Sequence, residues 1–206
     1  MTTRSIYIVD DDEAIRAGLQ ALLSIQSNLL IFPYRSGDDF VAGIGEMQSG
    51  CILLDYDMPG LNGLDVLRHI SDLKPKFGAI ILTGRGATSI AVQAWKLGAL
   101  DFLEKPCDPL VLLEVVENAF SKLEQDQHAA ARVESAQMVI AKLTPREREV
   151  LTGLVAGRAN KLIGYDLDIS PRTVEIHRAN LMDKLGVRSL SEALRVAFAA
   201  DFNLDG

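Results

Sequence analysis

The chain has 206 residues, 48% of them hydrophobic, and a formal net charge of −7. That length allows one large domain or two small ones, and that apolar content excludes a disordered chain. No run approaches the ~20 apolar residues of a membrane span and the opening SIYIV is too short for a signal peptide, so a cytoplasmic protein without membrane partners is expected. Residues 1–122 carry ten Lys/Arg against sixteen Asp/Glu, whereas residues 143–206 carry nine of each. Such asymmetry points to two modules with different partners. Cys51 and Cys107 have no partner motif, fit neither a zinc site nor a disulfide framework, and read as buried thiols.

In chain order, five short apolar runs come first: SIYIV (5–9), LLIF (29–32), CILL (51–54), AIIL (79–82) and DFLE (101–104). Segments with apolar residues three and four apart separate them, as in Ile15, Leu19, Leu22 and Leu23. Strands that do not alternate, followed each time by a helix, predict a parallel sheet covered on both faces. Pro33 closes the second run and cannot donate to a ladder, which places that strand at an edge and fits the flavodoxin-like order 2-1-3-4-5. The fifth helix starts at Asp108-Pro109, a cap followed by Pro at the first helical position. Its pattern runs on through residues 123–142, a polar, Ala-rich stretch without Gly or Pro that reads as a helical linker.

From Leu143 to residue 206 the pattern is wholly helical. Thr144, Pro145 and Glu147 form a capping-box start, and the first helix ends near Gly157. A second covers about 160–167, a third opens at Pro171 and runs to Leu185, and a fourth covers about 189–199. Four short helices predict a small all-α bundle. Leu162, Ile163, Leu167, Ile169, Val174, Leu181 and Leu185 have core spacing.

Ligands of doubly wound sheets sit beyond the carboxyl ends of the strands. Asp10, Asp11 and Asp12 follow the first strand, Asp55 the third, Thr83 the fourth and Lys105 the fifth. Each alone reads as a turn or cap residue; their coincidence at four strand ends points to one crevice. Clustered carboxylates with oxygen-only ligation suit Mg²⁺, and a carboxylate can attack phosphorus to give an aspartyl-phosphate. Asp55 is the expected acceptor, with Mg²⁺, Lys105 and the Thr83 hydroxyl neutralising the phosphoryl oxygens.

The segments VDDDEAIR, LLDYDMPGLNGLDVL, IILTGRG and GALDFLEKP resemble the signatures of response-regulator receiver domains across about residues 4–122. That resemblance implies Asp55 as phosphoacceptor, with Asp10, Asp11 and Asp55 holding Mg²⁺ together with the backbone carbonyl of Asp57. It also implies Thr83 and Lys105 as phosphoryl contacts and Phe102 as the switch aromatic, with Asp12 capping the first helix. Asp57 and Arg85, each two residues past a site residue, are expected to pair across the site and tune phosphate lifetime.

Ser170 and Pro171 open the third C-terminal helix and expose Arg172, Thr173, Glu175, Ile176 and Arg178 near its start, the end that a recognition helix presents to the major groove. The pattern LTPREREVL through YDLDISPRTVEIHRAN to DKLGVRS resembles the LuxR-type helix-turn-helix of the FixJ/NarL class of response regulators over about residues 140–200. It implies DNA recognition by the helix from 171 to 185, further backbone contacts from Lys161 and Lys184, and a last helix that dimerises on DNA. His177 reads as a packing or phosphate-contact residue, not a metal ligand.

The expected protein is a two-component response regulator: a receiver (1–122), a linker (123–142) and a DNA-binding module (143–206). A sensor histidine kinase would phosphorylate it, phosphorylation would dimerise it, and its target would be double-stranded DNA. It would be no enzyme and would take no small-molecule substrate beyond phosphodonors. Two alternatives are a haloacid-dehalogenase-like phosphatase, suggested by Asp57 two residues after Asp55, and a phosphorylation-independent scaffold or RNA-binding regulator. The first places its nucleophile near the N-terminus and lacks an appended helix-turn-helix.

Overall fold

The computed structural model describes residues 3–73, 75–84 and 88–202. Strands β1 (Arg4–Val9), β2 (Leu29–Tyr34), β3 (Gly50–Asp55), β4 (Phe77–Thr83) and β5 (Asp101–Glu104) form one parallel sheet in the order β2-β1-β3-β4-β5. Helices α1 (Glu13–Leu23), α2 (Gly37–Gly43), α3 (Gly63–Ser71), α4 (Thr88–Lys96) and α5 (Pro109–Ala141) follow the strands in turn. After α5 come α6 (Pro145–Val155), α7 (Asn160–Asp166), α8 (Pro171–Leu185) and α9 (Leu190–Ala199). The chain divides into two units, residues 1–127 and 128–206, and α5 is one unbroken helix through the residues of that division.

The sheet is covered on both faces because its central strands, apolar through their middles, are buried at nearly every position. Tyr7, Val9, Ile52, Leu54, Ala79 and Ile81 face Phe40, Leu64, Leu67 and Ala94 of α2, α3 and α4. The alternate residues Ile6, Ile8, Cys51, Leu53, Ile80 and Leu82 face Leu19 and Leu23 of α1 and Leu112, Val116 and Phe120 of α5. Cys51 is buried as expected, and burial pushes its thiol pKa up; Cys107 is only half-buried.

The edge strand runs two residues past LLIF. The Tyr34 carbonyl accepts from Asp10 N–H at 3.2 Å, so Tyr34 turns its peptide groups to β1 and Pro33 turns its nitrogen to the open edge. A proline there removes no ladder bond, so the strand continues through it.

The second unit has its own core of Ala136 and Ile140 from α5, Val150, Leu151 and Leu154 from α6, Ile163 from α7, Val174, Leu181 and Leu185 from α8, and Ala193 and Ala197 from α9. Leu162 does not join it and is 49% exposed. The short helix α7 turns Ile163 inward, onto a glycine: a Cβ at Gly153 would meet Ile163 Cγ1 at 2.7 Å. Leu162, one position earlier and so about 100° away, then faces outward.

Candidate functional site

The order of the sheet reverses at β1, which has β2 on one side and β3 on the other, and the polar residues collect at the carboxyl ends of these central strands. Asp55 ends β3, with Asp10 just past β1. Asp10 is fully buried and Asp55 is 6% exposed. Lys105 reaches both, with Nζ 2.6 Å from Asp10 Oδ2 and 2.7 Å from Asp55 Oδ1. Its own backbone N–H donates to the Thr83 carbonyl at 2.7 Å, which fixes the β5 exit beside the β4 exit. The peptide bond from Lys105 to Pro106 is cis. Thr83 is buried, and its hydroxyl makes one long bond of 3.4 Å to the Gly84 carbonyl.

Local chemistry fixes the rest of the crevice. Asp12 N–H donates to Asp10 Oδ1 at 2.9 Å, while the Asp12 carboxylate accepts from Ala14 and Ile15 N–H and caps α1. Arg16 donates to the Asp10 carbonyl at 2.7 Å, a contact that the VDDDEAIR motif contains but that spacing alone does not single out. The start of α3 packs on the Asp55 backbone; a Cβ at Gly63 would lie 2.6 Å from the Asp55 carbonyl oxygen. Asp57 and Phe102 are exposed. Arg85, the expected partner of Asp57, lies outside the described residues.

Carboxylate oxygens of Asp10, Asp11 and Asp55 lie within 4.8 Å of one another, with Asp11 exposed. Burial pushes the Asp55 carboxyl up, beyond what the hydrogen bond and charge of Lys105 pull back. For Lys105, burial acts to lower the pKa, but the hydrogen bonds to Asp10 and Asp55 outweigh it and the ammonium is held above its ordinary value. One ammonium therefore bridges two buried carboxylates, with the exposed Asp11 carboxylate close to both. The excess negative charge and the all-oxygen donor set fit a hard divalent cation.

In the second unit, Ser170 caps α8, accepting from Thr173 N–H at 3.1 Å, and Pro171 is its first residue. Arg172, Glu175 and Ile176 are exposed; Thr173, His177 and Arg178 are half-buried. Arg172 pairs with Glu175 at 3.3 Å, and Arg178 donates to Asn160 Oδ1 at 3.3 Å. Lys161 is exposed on the first turn of α7. Lys184 does not project freely from α8: its ammonium sits 2.7 Å from the Glu147 carboxylate of α6. The exposed row of α8 also runs through Ala179 and Asn180, residues that sequence reasoning passed over. Their spacing from Ile176, three and four positions on, is the signal that would have found them.

Residues 6–117 match the model of the response regulator receiver domain, and residues 141–197 match that of the luxR family of bacterial regulatory proteins. This chain belongs to the response regulators. More narrowly, it is a response regulator with a LuxR-type DNA-binding domain, a FixJ-like transcriptional regulator. It is 40% identical over 205 residues to the transcriptional regulatory protein FixJ of Rhizobium meliloti, covering 98% of each chain. It is 42% identical over 196 residues to that of Azorhizobium caulinodans, covering 95% of this chain and 92% of the relative. Among solved structures, full-length FixJ from B. japonicum is similar with a TM-score of 0.60 at 39% identity, covering 98% of this chain and 100% of that one. The response regulator StyR gives a TM-score of 0.82 at 29% identity, covering 96% and 99%. Among the described residues no helix is long and apolar enough to cross a membrane.

Proposed function

We propose that Asp55 accepts a phosphoryl group from a phosphohistidine of a sensor histidine kinase and that the phosphorylated chain binds duplex DNA as a dimer. A carboxylate oxygen of Asp55 attacks phosphorus, the P–N bond breaks, and the imidazole leaves with the electron pair. The observation that carries this reading is the Lys105 ammonium shared between Asp10 and Asp55, 2.6 and 2.7 Å away. Such a cation can follow the new charge onto a phosphoryl oxygen, while the Thr83 hydroxyl, weakly engaged here, donates to another.

The carboxylates of Asp10, Asp11 and Asp55 and the backbone carbonyl of Asp57 would hold Mg²⁺. When bound, that ion neutralises charge on the transferred oxygens. Shifts at Thr83 and Lys105 pull on the ends of β4 and β5, and Phe102 reorients with them. Val92 and Trp95 of α4, the latter 62% exposed, and Phe102 of β5 are large apolar groups open to solvent, which supports pairing through this face. The receiver is taken as residues 1–122, the linker as 123–142 and the DNA-binding module as 143–206. In that module Arg172, Thr173, Glu175, Ile176, His177 and Arg178 of α8 face or flank the major groove, and Lys161 meets the backbone.

The test is DNA binding with and without acetyl phosphate and Mg²⁺, using a duplex enriched from a random pool by the treated chain. Affinity rises on treatment of the wild type and stays at its basal value for Asp55→Asn. Equal gains for both chains would overturn the proposal.

A further inference from the structure

The C-terminal pattern gave Lys184 to the DNA backbone, and helical spacing explains why. It lies four residues after Asn180 and eight after Ile176, so it continues the exposed row of α8. The structure ties its ammonium to a buried carboxylate, although the side chain itself stays 36% exposed. Glu147 is 3% exposed, and a carboxylate so placed needs compensation. Its Oε2 accepts from Thr144 N–H at 2.8 Å and from Lys184 Nζ at 2.7 Å. The Thr144 hydroxyl in turn accepts from Glu147 N–H at 3.3 Å, so the ammonium is tied into the capping box that starts α6.

We propose that Lys184 is a positioning residue. Through Glu147 it fixes the last turn of α8 against the first turn of α6 and so sets the angle at which α8 meets base edges, without itself touching DNA. This rests on the reading of α8 as the recognition helix. A half-buried ion pair of this kind contributes little net stability against an apolar replacement, but removing one partner leaves a stranded charge, and the pair tolerates only one geometry. The leucines on either side of it, Leu181 and Leu185, are buried in the core and give α8 a greasy seat. Apolar contact alone lets a helix slide and roll; a short directional bond at its far end does not. At the near end, Arg178 holds Asn160 at the start of α7. Lys184 and Arg178 are thus each paired to a neighbouring helix of the bundle, while Arg172, Glu175, Ile176, Ala179 and Asn180 are exposed.

The proposal separates from a phosphate contact by sequence discrimination and by salt. With the full chain treated with acetyl phosphate and Mg²⁺, binding is measured to the enriched duplex and to a mixed-sequence duplex across a salt series. For Lys184→Met, affinity for the enriched duplex falls by about tenfold, the scale of one lost base-pair readout. Affinity for the mixed duplex and the salt slope stay as in the wild type. The double variant Glu147→Gln with Lys184→Met keeps an acceptor for Thr144 and removes the stranded charge. It regains thermal stability without regaining discrimination. Equal weakening on both duplexes, with the slope reduced by about one, would make Lys184 a phosphate contact and overturn the proposal. So would a lowered melting temperature with discrimination intact. Failure of the wild type to bind any duplex would instead remove the DNA-binding reading itself.

Discussion

In the first unit Lys105 bridges the buried Asp10 and Asp55, with Asp11 close to both; in the second, Glu147 faces Lys184. Both sites place carboxylate charge where water is scarce, but one leaves it in excess and the other matches it one to one. A buried charge without its counterpart is costly, and a fold retains such an arrangement where something else completes it. The matched pair is complete as it stands and acts on the bundle's geometry. On the proposed reading, the difference separates a site suited to a cation and a phosphoryl group from one suited to holding two helices together.

The largest effect that would sharpen this contrast is on Lys105. Lys105→Met removes the only ammonium seen in the crevice among the described residues, so the gain in DNA affinity on acetyl phosphate treatment disappears while basal binding persists; titration of the enriched duplex checks it. Next comes the second core. Leu181→Ala costs about 2–5 kcal/mol, the usual range for a buried leucine. Because that core shares none of the apolar residues that pack on the sheet, phosphoryl uptake measured by intact mass stays at the wild-type level while the melt of the second unit shifts down.

Smaller is the pH response of the matched pair. Burial, the largest single influence, acts to raise the Glu147 carboxyl, but the hydrogen bonds from Lys184 and Thr144 and the Lys184 charge together outweigh it and hold the pKa below the ordinary 4.5. A depressed folded-state value contributes stability in full above the unfolded one and loses it as pH falls through the folded one. Melting temperature therefore drops more steeply below pH 4.5 for the wild type than for Glu147→Gln. Smallest is Asp12→Ala, which removes the α1 cap at a cost of about 1 kcal/mol and leaves Asp55 phosphorylation intact, as thermal melts and intact mass can show together.

Much of the fold was legible in the sequence because its signals are local. Apolar runs too continuous for a half-exposed strand marked the central sheet, and Asp12, Thr144, Ser170 and Pro171 marked helix starts that the structure retains. What escaped depends on direction. LLIF stopped one residue short of Pro33 because nothing in a sequence says which way a proline's nitrogen points. Leu162 has the spacing of a core residue, but only the contact of Ile163 with Gly153 decides which side of α7 turns inward. At the acidic site, four strand ends indicated the convergence of Asp10, Asp55 and Lys105, since a parallel sheet brings its carboxyl ends to one side. Lys184 is the counterexample. Its long side chain reaches either way from the flank of α8, and the buried carboxylate that claims it lies 37 residues earlier in the chain.

The central claim is that Asp55 takes up phosphorus. Intact-mass spectrometry of the full chain after incubation with acetyl phosphate and Mg²⁺ tests it most directly, beside Asp55→Asn. The account predicts the mass of one added phosphoryl group on the wild type, lost on chelation of the metal during incubation and absent from the variant. An unmodified wild type, or an equal increment on Asp55→Asn, would contradict it.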